Sequence, residues 1–352
     1  MIPKTMARIL PSWLWSRESD SEVVISTRVR LARNLLNHQF PSRASLLERK
    51  RIFEEIRAQV MGLSACRGFE CCNFASADGL DKQFLAENRA VSYDMLNLDG
   101  DRGVVFDKSF QSSVMINEED HIRMQFIGSG CCAERLWEEL DQLDTMVGNK
   151  LRFAFDSRKG FLTSCPTNSG TGLRVSFLLH LPGLVLTKTI DQTLQGVTQM
   201  GLAARGFFGE NSQVAGNFFQ LSNQATMGSG EEEFIESTRR IIQGVIECEN
   251  AARDRILNEA EVEIEDKIFR SYGILQYART LGVDELLNLA SALRFGVESG
   301  IFNKTDKSCL NRMILMTMPA HIQLLDGKKQ DKDKLNLRRA EMVQALLNGE
   351  GQ

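Results

Sequence analysis

The chain has 352 residues, 43% of them hydrophobic and 25% charged, which is enough to bury a sizeable core in two domains. Its formal net charge of −4 argues against the basic excess that is typical of nucleic-acid-binding proteins. The N-terminus lacks the apolar core of a signal peptide, and His180 and Pro182 interrupt the longest apolar stretch, residues 175–187. We therefore expect a cytoplasmic protein that binds neither nucleic acid nor a membrane.

The eight cysteines include no CxxC pair, and no histidine follows them at zinc-finger spacing. We expect reduced, mostly buried thiols in a reducing compartment. A metal site built from Cys66, Cys71 and Cys72 is the alternative.

Up to about residue 228, short runs of β-branched and aromatic residues alternate with Gly and Asn turns, which predicts a sheet. We expect strands over residues 23–25, 104–106, 114–116, 121–127, 151–155 and 218–221, and helices over 46–60 and 134–145. Beyond residue 228 helical periodicity dominates, with expected helix starts at a capping box of Ser229 and Glu232, at the N-cap Asp284 and near Leu335. The sequence therefore predicts a sheet-containing domain over residues 1–228 and an all-α domain over 229–352.

Several familiar nucleotide and hydrolase motifs are missing from the sequence. It contains no GxxxxGK[ST] P-loop, no HRD or DFG protein-kinase signature and no GxSxG elbow. If the protein binds ATP, groups other than a glycine-rich cradle must hold the phosphates.

The first candidate segment is EVVISTRVRL, residues 22–31. Alternate side chains share one face of a strand, so Arg28 and Arg30 project side by side, roughly 6.6 Å apart. Two guanidinium groups at that spacing suit adjacent phosphates, because arginine binds oxyanions bidentately and stays charged. A solvated strand face is the alternative.

The second segment, NEEDHIRMQFI at residues 117–127, alternates apolar and polar residues like a half-buried strand. If the strand extends back, Glu119 lies on the same face as Arg123, which places an acid beside a phosphate-binding cation. A charged turn before an edge strand is the alternative.

The third and fourth segments are loops. TSCPTNSGTGLR, residues 163–174, forms a polar turn that presents Cys165 to a ligand and leads into a strand opened by Arg174. In residues 203–223, glycines bracket a loop with Arg205 at its root and Glu210 within it, and such a loop can close over a substrate. The alternatives are a buried structural cysteine and a glycine-rich hairpin.

In order and kind, STRVR (26–30), NEEDHIR (117–123), CPTNSGTGLR (165–174) and RGFFGE (205–210) resemble the motifs of the phosphagen (guanidino) kinases. GNFFQLSNQ (216–224) and EDKIFRSYGIL (265–275) are similar to the bacterial protein-arginine kinase branch of that family. The resemblance implies an α+β fold, in which a catalytic domain with an antiparallel sheet flanked by helices precedes an all-α C-terminal domain. Only 27 residues precede Arg28, whereas small-substrate members carry a helical domain there.

The resemblance also implies roles for individual residues. Five arginines match those that hold the ATP phosphates: Arg28, Arg30, Arg123, Arg174 and Arg205. Glu119 matches the carboxylate that orients the guanidinium and takes its proton, Glu210 a second acid that clamps the substrate, and Cys165 the reactive cysteine. The implied nucleotide contacts extend to Ser26, Thr27 and Val29, to Val175, Ser176, Phe177 and Leu178, and to Gly206, Phe207, Phe208, Gly209 and Glu210.

The implied activity is the ATP- and Mg²⁺-dependent phosphorylation of arginine side chains in proteins. The implied partners are protein substrates, among them a heat-shock repressor, together with an activator protein, a Clp-type protease system and a second copy of the chain. A kinase for free arginine or another small guanidino compound uses the same residues. A non-catalytic nucleotide-binding regulator is the alternative from another class.

Two departures from the family pattern stand out. The family has a nucleotide-contacting His in an EKHL-like segment, and the nearest match in this sequence is residues 81–84, with Gln83 in that place. The protein-arginine kinases carry an RDxxRA motif that reads phosphoarginine, and the matching stretch here, LNLRRA at residues 335–340, lacks the leading Arg-Asp pair.

Overall fold

Short strands build most of the first two thirds of the chain in the computed structural model, which describes residues 2–14, 23–206 and 215–349. The strands are β1 Val24–Arg33, β2 Glu70–Asn73, β3 Gly103–Phe106, β4 Ser112–Ile116, β5 Ile122–Ser129, β6 Phe155–Asp156, β7 Gly160–Phe161, β8 Leu173–His180, β9 Leu202–Gly206 and β10 Phe218–Asn223. Within these ranges, eight of them form one antiparallel sheet in the order β2-β3-β4-β5-β1-β8-β10-β9, and β6 and β7 form a separate hairpin.

The helices lie between the strands and then follow them. They are α1 Leu46–Met61, α2 Gly79–Glu87, α3 Ala133–Gly148, α4 Pro182–Leu186, α5 Ile190–Gln199, α6 Glu231–Glu259, α7 Glu261–Tyr277, α8 Val283–Glu298, α9 Lys307–Met316, α10 Pro319–Asp326 and α11 Lys332–Leu347. From α6 onward the described chain is helical, and none of the described helices is long and apolar enough to cross a bilayer.

Strand β1 lies in the middle of the sheet, paired with β5 on one side and β8 on the other. Its side chains alternate between the two faces of the sheet. Val29 and Leu31 are fully buried in the main core, whereas Arg28 and Arg30 lie on the opposite face. The sheet therefore has one apolar face and one cationic face.

Helices α1, α3 and α6 cover the apolar face. Ser45 caps α1 by accepting the backbone N–H of Glu48, and a helical stripe on α3 packs against the strands through Leu136, Leu140 and Leu143. The first half of α6 joins the same core. Burial of these stripes holds the strands in register.

The helical C-terminal region packs on the cationic side of the sheet. Leu178 and Phe218 on the strands share a buried cluster with Ile314 and Leu315 of α9 and with Met318. A separate core joins α7, α8, α9 and α11 to one another. The space between the sheet and these helices is where the candidate site lies.

The α+β fold expected from the resemblance is confirmed, with corrections to the local elements. The strand expected over residues 151–155 is wrong, because only an isolated bridge from Phe153 to Leu35 and the two-residue β6 occur there. Asp156 accepts the backbone N–H groups of Arg158 and Lys159, and this turn ends the strand at once.

Two predicted helix caps are also wrong. Helix α6 has Gly230 at its N-cap instead of Ser229, and α8 has Gly282 instead of Asp284. Asp284 lies in the first turn of α8, where its carboxylate interacts favourably with the helix dipole but does not cap the helix. The last helix begins three residues before Leu335, because Asp331 caps it by accepting the N–H of Lys334.

Candidate active site

A pocket of about 740 Å³ opens between the cationic face of the sheet and the helical region. Its lining includes eight residues that the sequence analysis assigned to the site, together with residues that it did not assign. The eight are Arg28, Arg30, Glu119, Arg123, Cys165, Arg174, Leu178 and Arg205. The fold thus gathers side chains from four separate stretches of the sequence in one cavity.

The sheet register sets the positions of the central arginines. Arg30 on β1 pairs directly with Arg174 on β8, and Arg28 pairs with Ser176. The Arg28 guanidinium donates to the Ser176 hydroxyl at 3.4 Å and to the Gln220 side-chain carbonyl at 3.3 Å. Neutral acceptors thus orient Arg28 without cancelling its charge.

The arginines form a buried concentration of positive charge. Burial, followed by the nearby charges of Arg89 and Arg174, lowers the pKa of Arg28 to about 9. Burial and the charges of Arg28 and Arg174 also lower the pKa of Arg30 well below its usual range. The Nε of Arg30 is buried with no hydrogen-bond partner within residues 2–14, 23–206 and 215–349. A polyanion would relieve both the repulsion and the desolvation.

The segment before β5 is a turn, so the strand does not extend back to Glu119 and the alternative of a charged turn is confirmed. Asn117 has a positive φ of 55°, and its N–H donates to the carbonyl of His121. Its side-chain amide donates to the carbonyls of Arg49 and Asp101, which holds this strained conformation. Glu119 nevertheless reaches Arg123, because the turn folds back over the first residues of β5.

Arg123 lies between two carboxylates. It contacts Glu118 at 2.5 Å and Glu119 at 2.8 Å. Glu118 is buried and also accepts the Ser92 hydroxyl, whereas the side chain of Glu119 is 44% exposed. Burial raises the pKa of Glu118, but Arg123, Ser92 and Arg30 lower it by more, so the net direction is downward. Glu118 therefore fixes Arg123, and Glu119 remains accessible from the pocket.

Buried Asp120 ties this turn to the cysteine loop, and buried His121 ties it to the segment that follows β1. Asp120 accepts the side-chain amide of Asn34 at 2.6 Å and the backbone N–H of Ser164 at 2.7 Å. His121 accepts the N–H of Leu35 at Nδ1, so its Nε2 carries the proton that it donates to the carbonyl of Gln39. The cysteine loop is thereby held beside Glu119.

The cysteine loop presents its thiol to the pocket as the sequence predicted. The Sγ of Cys165 lies 2.9 Å from the Thr167 hydroxyl, and Asn168 donates to the Glu119 carboxylate at 3.4 Å. The hydroxyl of Thr163 donates to the carbonyl of Cys165. An acid and a thiol thus share one wall of the cavity.

The fourth predicted segment is only partly covered by the described residues. Arg205 on β9 pairs with Gln220 on β10 and lines the pocket, and Gly206 ends β9. The predicted contacts Phe207, Phe208, Gly209 and Glu210 lie outside the described residues. Their roles stay predictions.

Some predicted nucleotide contacts lie away from the pocket. Val29, Val175 and Phe177 are fully buried in the main core, and Thr27 bonds the carbonyl of Gly130 on that same side of the sheet. The structure does not bring these four side chains to the cavity, because strand alternation turns them toward α1, α3 and α6. Two more, Ser26 and Ser176, share the cationic face and bond arginine side chains.

Sequence reasoning missed Arg89, which also lines the pocket. Gln83, expected to replace the family's His, is not among the lining residues and donates to Glu87 at 3.2 Å. Residues 87–90, ENRA, fit the EKHL-like pattern instead, since both Glu87 and Arg89 line the cavity. The leading Glu, placed three residues before an Ala-Val-Ser run, was the available signal.

The LNLRRA segment lies in α11, away from the pocket. Arg339 is buried, and its guanidinium donates to the carbonyls of Thr317 and Leu281 and to the Asn336 side chain at 2.7–3.0 Å. Arg338 pairs with Asp326 and Glu341. Both arginines therefore have protein partners.

Two family models match consecutive parts of the chain. The ATP:guanido phosphotransferase, C-terminal catalytic domain, matches residues 51–252, and the Protein-arginine kinase McsB C-terminal domain matches residues 261–352. A protein-arginine kinase of Halothermothrix orenii is 35% identical over 342 residues, 96% of this chain and 97% of that protein. One of Brevibacillus brevis is 37% identical over 339 residues, 96% and 95% of the two chains.

Solved structures share the fold. The duplicated taurocyamine kinase of Schistosoma mansoni matches with a TM-score of 0.60 and 23% identity, over 70% of this chain and 37% of that chain. A lombricine kinase matches with a TM-score of 0.57 and 23% identity, over 71% of each chain. From the extent of these matches and the motifs that line the pocket, the chain belongs to the ATP:guanido phosphotransferase family, within its protein-arginine kinase branch.

Proposed function

We propose that this protein is a kinase that transfers the γ-phosphoryl group of ATP to arginine side chains of other proteins. The observation that carries the proposal is the single pocket in which Arg28, Arg30, Arg123, Arg174 and Arg205 face Glu119 and Cys165. A cationic cage suits a triphosphate, and an acid beside it suits a guanidinium.

The arginines would hold the phosphates in line with the attacking nitrogen. Phosphoryl transfer depends mainly on positioning and charge stabilisation, and bidentate guanidinium groups supply both. Arg28 and Arg30 on β1 are rigidly placed by the sheet, and Glu118 fixes Arg123. The phosphate ends of the nucleotide therefore meet side chains that need little reorganisation.

Glu119 would act on the acceptor. A guanidinium is a poor nucleophile because its pKa exceeds about 12. In the step that we propose, a guanidino nitrogen forms a bond to the γ-phosphorus while the bond to the oxygen bridging the β- and γ-phosphorus atoms breaks. The proton of that nitrogen passes to Glu119, and ADP leaves. Cys165 and, in the undescribed loop, Glu210 would help to localise the guanidinium charge away from the attacking nitrogen.

Magnesium would arrive with the nucleotide. Among the described residues, no three His, Cys, Asp or Glu side chains gather into a metal site, at Cys66, Cys71 and Cys72 or elsewhere. Mg²⁺ prefers phosphate oxygens and water with one or two carboxylates, so the donor set fits it as part of a MgATP complex. Glu118 and Glu119 are the carboxylates of the pocket nearest the arginines that would hold the phosphates.

Finer assignments rest on the resemblance. We propose protein substrates, an activator protein and a Clp-type protease system as partners, a homodimer through the helical region, and a cytoplasmic role in the stress response. The division into domains at residue 228 also stays a prediction, since α6 begins at Glu231 but packs into the sheet core.

Mass spectrometry after incubation with ATP tests the function. Casein and free arginine are offered side by side, and we expect acid-labile phosphoarginine on casein. Product on free arginine alone would identify a small-guanidine kinase. Nucleotide binding with no phosphoarginine on either acceptor would identify a non-catalytic regulator.

A further inference from the structure

A second pair of arginines lines the pocket, in addition to those that would hold the phosphates. Arg49 lies in the first turn of α1, and Arg102 lies directly before β3. Arg102 is 3% exposed, whereas Arg49 is half-buried. The cavity wall also includes Pro41, Ser42 and Leu98. None of these five residues belongs to the motifs of the sequence analysis.

The two guanidinium groups share one neutral partner. The Nη1 of Arg49 donates to the carbonyl of Asp99 at 3.1 Å, and the Nη2 of Arg102 donates to the same oxygen. The Nε of each arginine is buried and has no hydrogen-bond partner in the part of the chain that the structure describes. Buried donors without an acceptor are costly, so these two N–H groups suit a ligand that accepts hydrogen bonds.

The nearby acids do not fully neutralise this pair. Burial, followed by the charge of Arg49, lowers the pKa of Arg102. The carboxylates of Asp99 and Glu118 act in the opposite direction without reversing the change. Glu118 is committed to Arg123, which it contacts at 2.5 Å. A further carboxylate would therefore be attracted to the pair.

The pair is tied to the turn that carries Glu119. The side-chain amide of Asn117 donates to the carbonyl of Arg49 at 2.8 Å and to that of Asp101 at 2.9 Å. Asp101 directly precedes Arg102, and Glu119 follows Asn117 by two residues. These hydrogen bonds hold the pair at a fixed place relative to the carboxylate that would take the proton of the acceptor.

The cavity is open to solvent on the wall that includes the pair. Leu98 is 43% exposed there, and Ser42 is also exposed. A polypeptide that places one arginine at Glu119 can therefore reach Arg49 and Arg102 with a neighbouring side chain. Such contacts away from the reacting atoms help to orient a large substrate for transfer.

We propose that Arg49 and Arg102 form a carboxylate-binding site for the acceptor protein, filled by an aspartate or glutamate next to the arginine that is phosphorylated. The inference rests on the proposed function and gives it a substrate preference. Guanidinium groups bind carboxylates through parallel N–H donors, and the two unused Nε–H groups add to the donors of this site. Acidic sequence around the target arginine would be favoured, and basic sequence would be disfavoured.

Three peptides that differ only beside a single central arginine test the site. Both flanking residues are aspartate in the first peptide, asparagine in the second and lysine in the third. Mass spectrometry of acid-labile phosphoarginine gives kcat/KM for each peptide. We expect the wild type to favour the aspartate peptide over the asparagine peptide about fivefold, and the lysine peptide to be the poorest substrate. Because each ratio is taken within one enzyme, a general loss of activity cancels.

Arg49→Glu reverses the charge at the half-buried member of the pair. We expect the order of the peptides to reverse, so that the lysine peptide becomes the best substrate. The matched control is Arg51→Glu, which makes the same charge change at an exposed arginine of α1 and should keep the wild-type order. Arg102→Gln keeps a donor for the Asp99 carbonyl and should bring the ratio of the aspartate to the asparagine peptide to about one.

Two outcomes distinguish the failures. If the peptides are phosphorylated and Arg49→Glu shows the same ratios as Arg51→Glu, the inference fails and the proposed function stands. If phosphoarginine forms on neither the peptides nor casein, the proposed function fails and the inference fails with it.

Discussion

Arg30 and Arg174 lie directly opposite each other on the adjacent strands β1 and β8. Like charges in such a cross-strand pair destabilise a sheet. Burial and the neighbouring arginines lower the pKa of Arg30, which shows that its positive charge is unfavourable in the ligand-free protein. The centre of the sheet therefore carries a charge arrangement that favours an anionic ligand. We therefore expect the pair to favour ligand binding at some cost to the stability of the ligand-free fold.

Arg174→Ala should weaken MgATP binding about tenfold or more and lower turnover with it. The substitution removes a phosphate contact, but it also removes the repulsion with Arg30, so the free energy of unfolding of the ligand-free protein should change by less than about 1 kcal/mol. Titration calorimetry and urea unfolding measure the two effects, with the exposed Arg152→Ala as the control. A large loss of stability with unchanged affinity would assign Arg174 to the fold instead.

Glu119→Gln should lower kcat roughly 10²- to 10³-fold and change the KM for ATP by less than about twofold. The carboxylate of Glu119 is 44% exposed and lines the pocket, and in the proposed mechanism it acts on the acceptor whereas the arginines hold the nucleotide. Steady-state kinetics with casein separates the two parameters, and Glu259→Gln, which alters an exposed pair with Arg255, is the control. A change in the KM for ATP as large as that in kcat would indicate that Glu119 contacts the nucleotide and not the acceptor.

Cys165→Ala should lower turnover at least about tenfold and leave MgADP affinity unchanged. The thiol lines the pocket in the same loop as Asn168, which donates to Glu119, and in the proposed mechanism this wall receives the acceptor. Iodoacetamide should inactivate the enzyme, and MgADP with an arginine peptide should protect it. Cys248→Ala removes an exposed thiol on α6 as the control. Full activity of Cys165→Ala would show that the thiol has no catalytic role and only a structural one in the loop.

The strand pattern was predictable where the cause is local. Val29 and Leu31 are apolar residues two positions apart, and this period places Arg28 and Arg30 on the other face. The same rule explains why Val175 and Phe177 turn away from the pocket. The expected contacts at those two positions followed a contiguous motif, whereas the sheet sorts neighbours onto opposite faces.

Positions that depend on distant contacts could not be predicted. Asn117 adopts its positive φ because carbonyls of Arg49 and Asp101 receive its side chain, and both lie outside the motif. Arg89 reaches the pocket because Glu87 caps a helix that begins at Pro319. No sequence window around Asn117 contains that information, and around Arg89 the sequence offers only the resemblance of residues 87–90 to the EKHL-like segment.

Acidification should destabilise the protein through two buried histidines. Burial lowers the pKa of His121 and of His180 to about 4 each. In the unfolded chain histidine titrates near about 6.5, so between about pH 6.5 and 4 the unfolded state binds protons that the folded state does not. The free energy of unfolding should therefore decrease as the pH is lowered through that window, by roughly 3 kcal/mol for each histidine.

Urea unfolding between pH 7 and 5 measures this slope. His180→Gln should reduce the slope by up to about 1.4 kcal/mol per pH unit, whatever its effect on the stability at pH 7. A wild-type stability that is constant across this range would contradict the burial of neutral histidines.

Arg339→Ala should lower the free energy of unfolding by roughly 2–4 kcal/mol. The change leaves the buried carbonyls of Thr317 and Leu281 without their donor. The neighbouring Arg338→Ala removes a side chain that is 41% exposed and should cost less than about 1 kcal/mol. Equal effects of the two changes would show that Arg339 does not hold α11 in place.

A crystal structure of the protein with MgADP, nitrate and an arginine-containing peptide tests the central claim most directly, since planar nitrate mimics the phosphoryl group in transfer. We predict the ADP phosphates and nitrate among Arg28, Arg30, Arg123 and Arg174, with the peptide guanidinium between the nitrate and Glu119. A nucleotide bound outside this cavity, or a guanidinium on the far side of the arginines from Glu119, would contradict it.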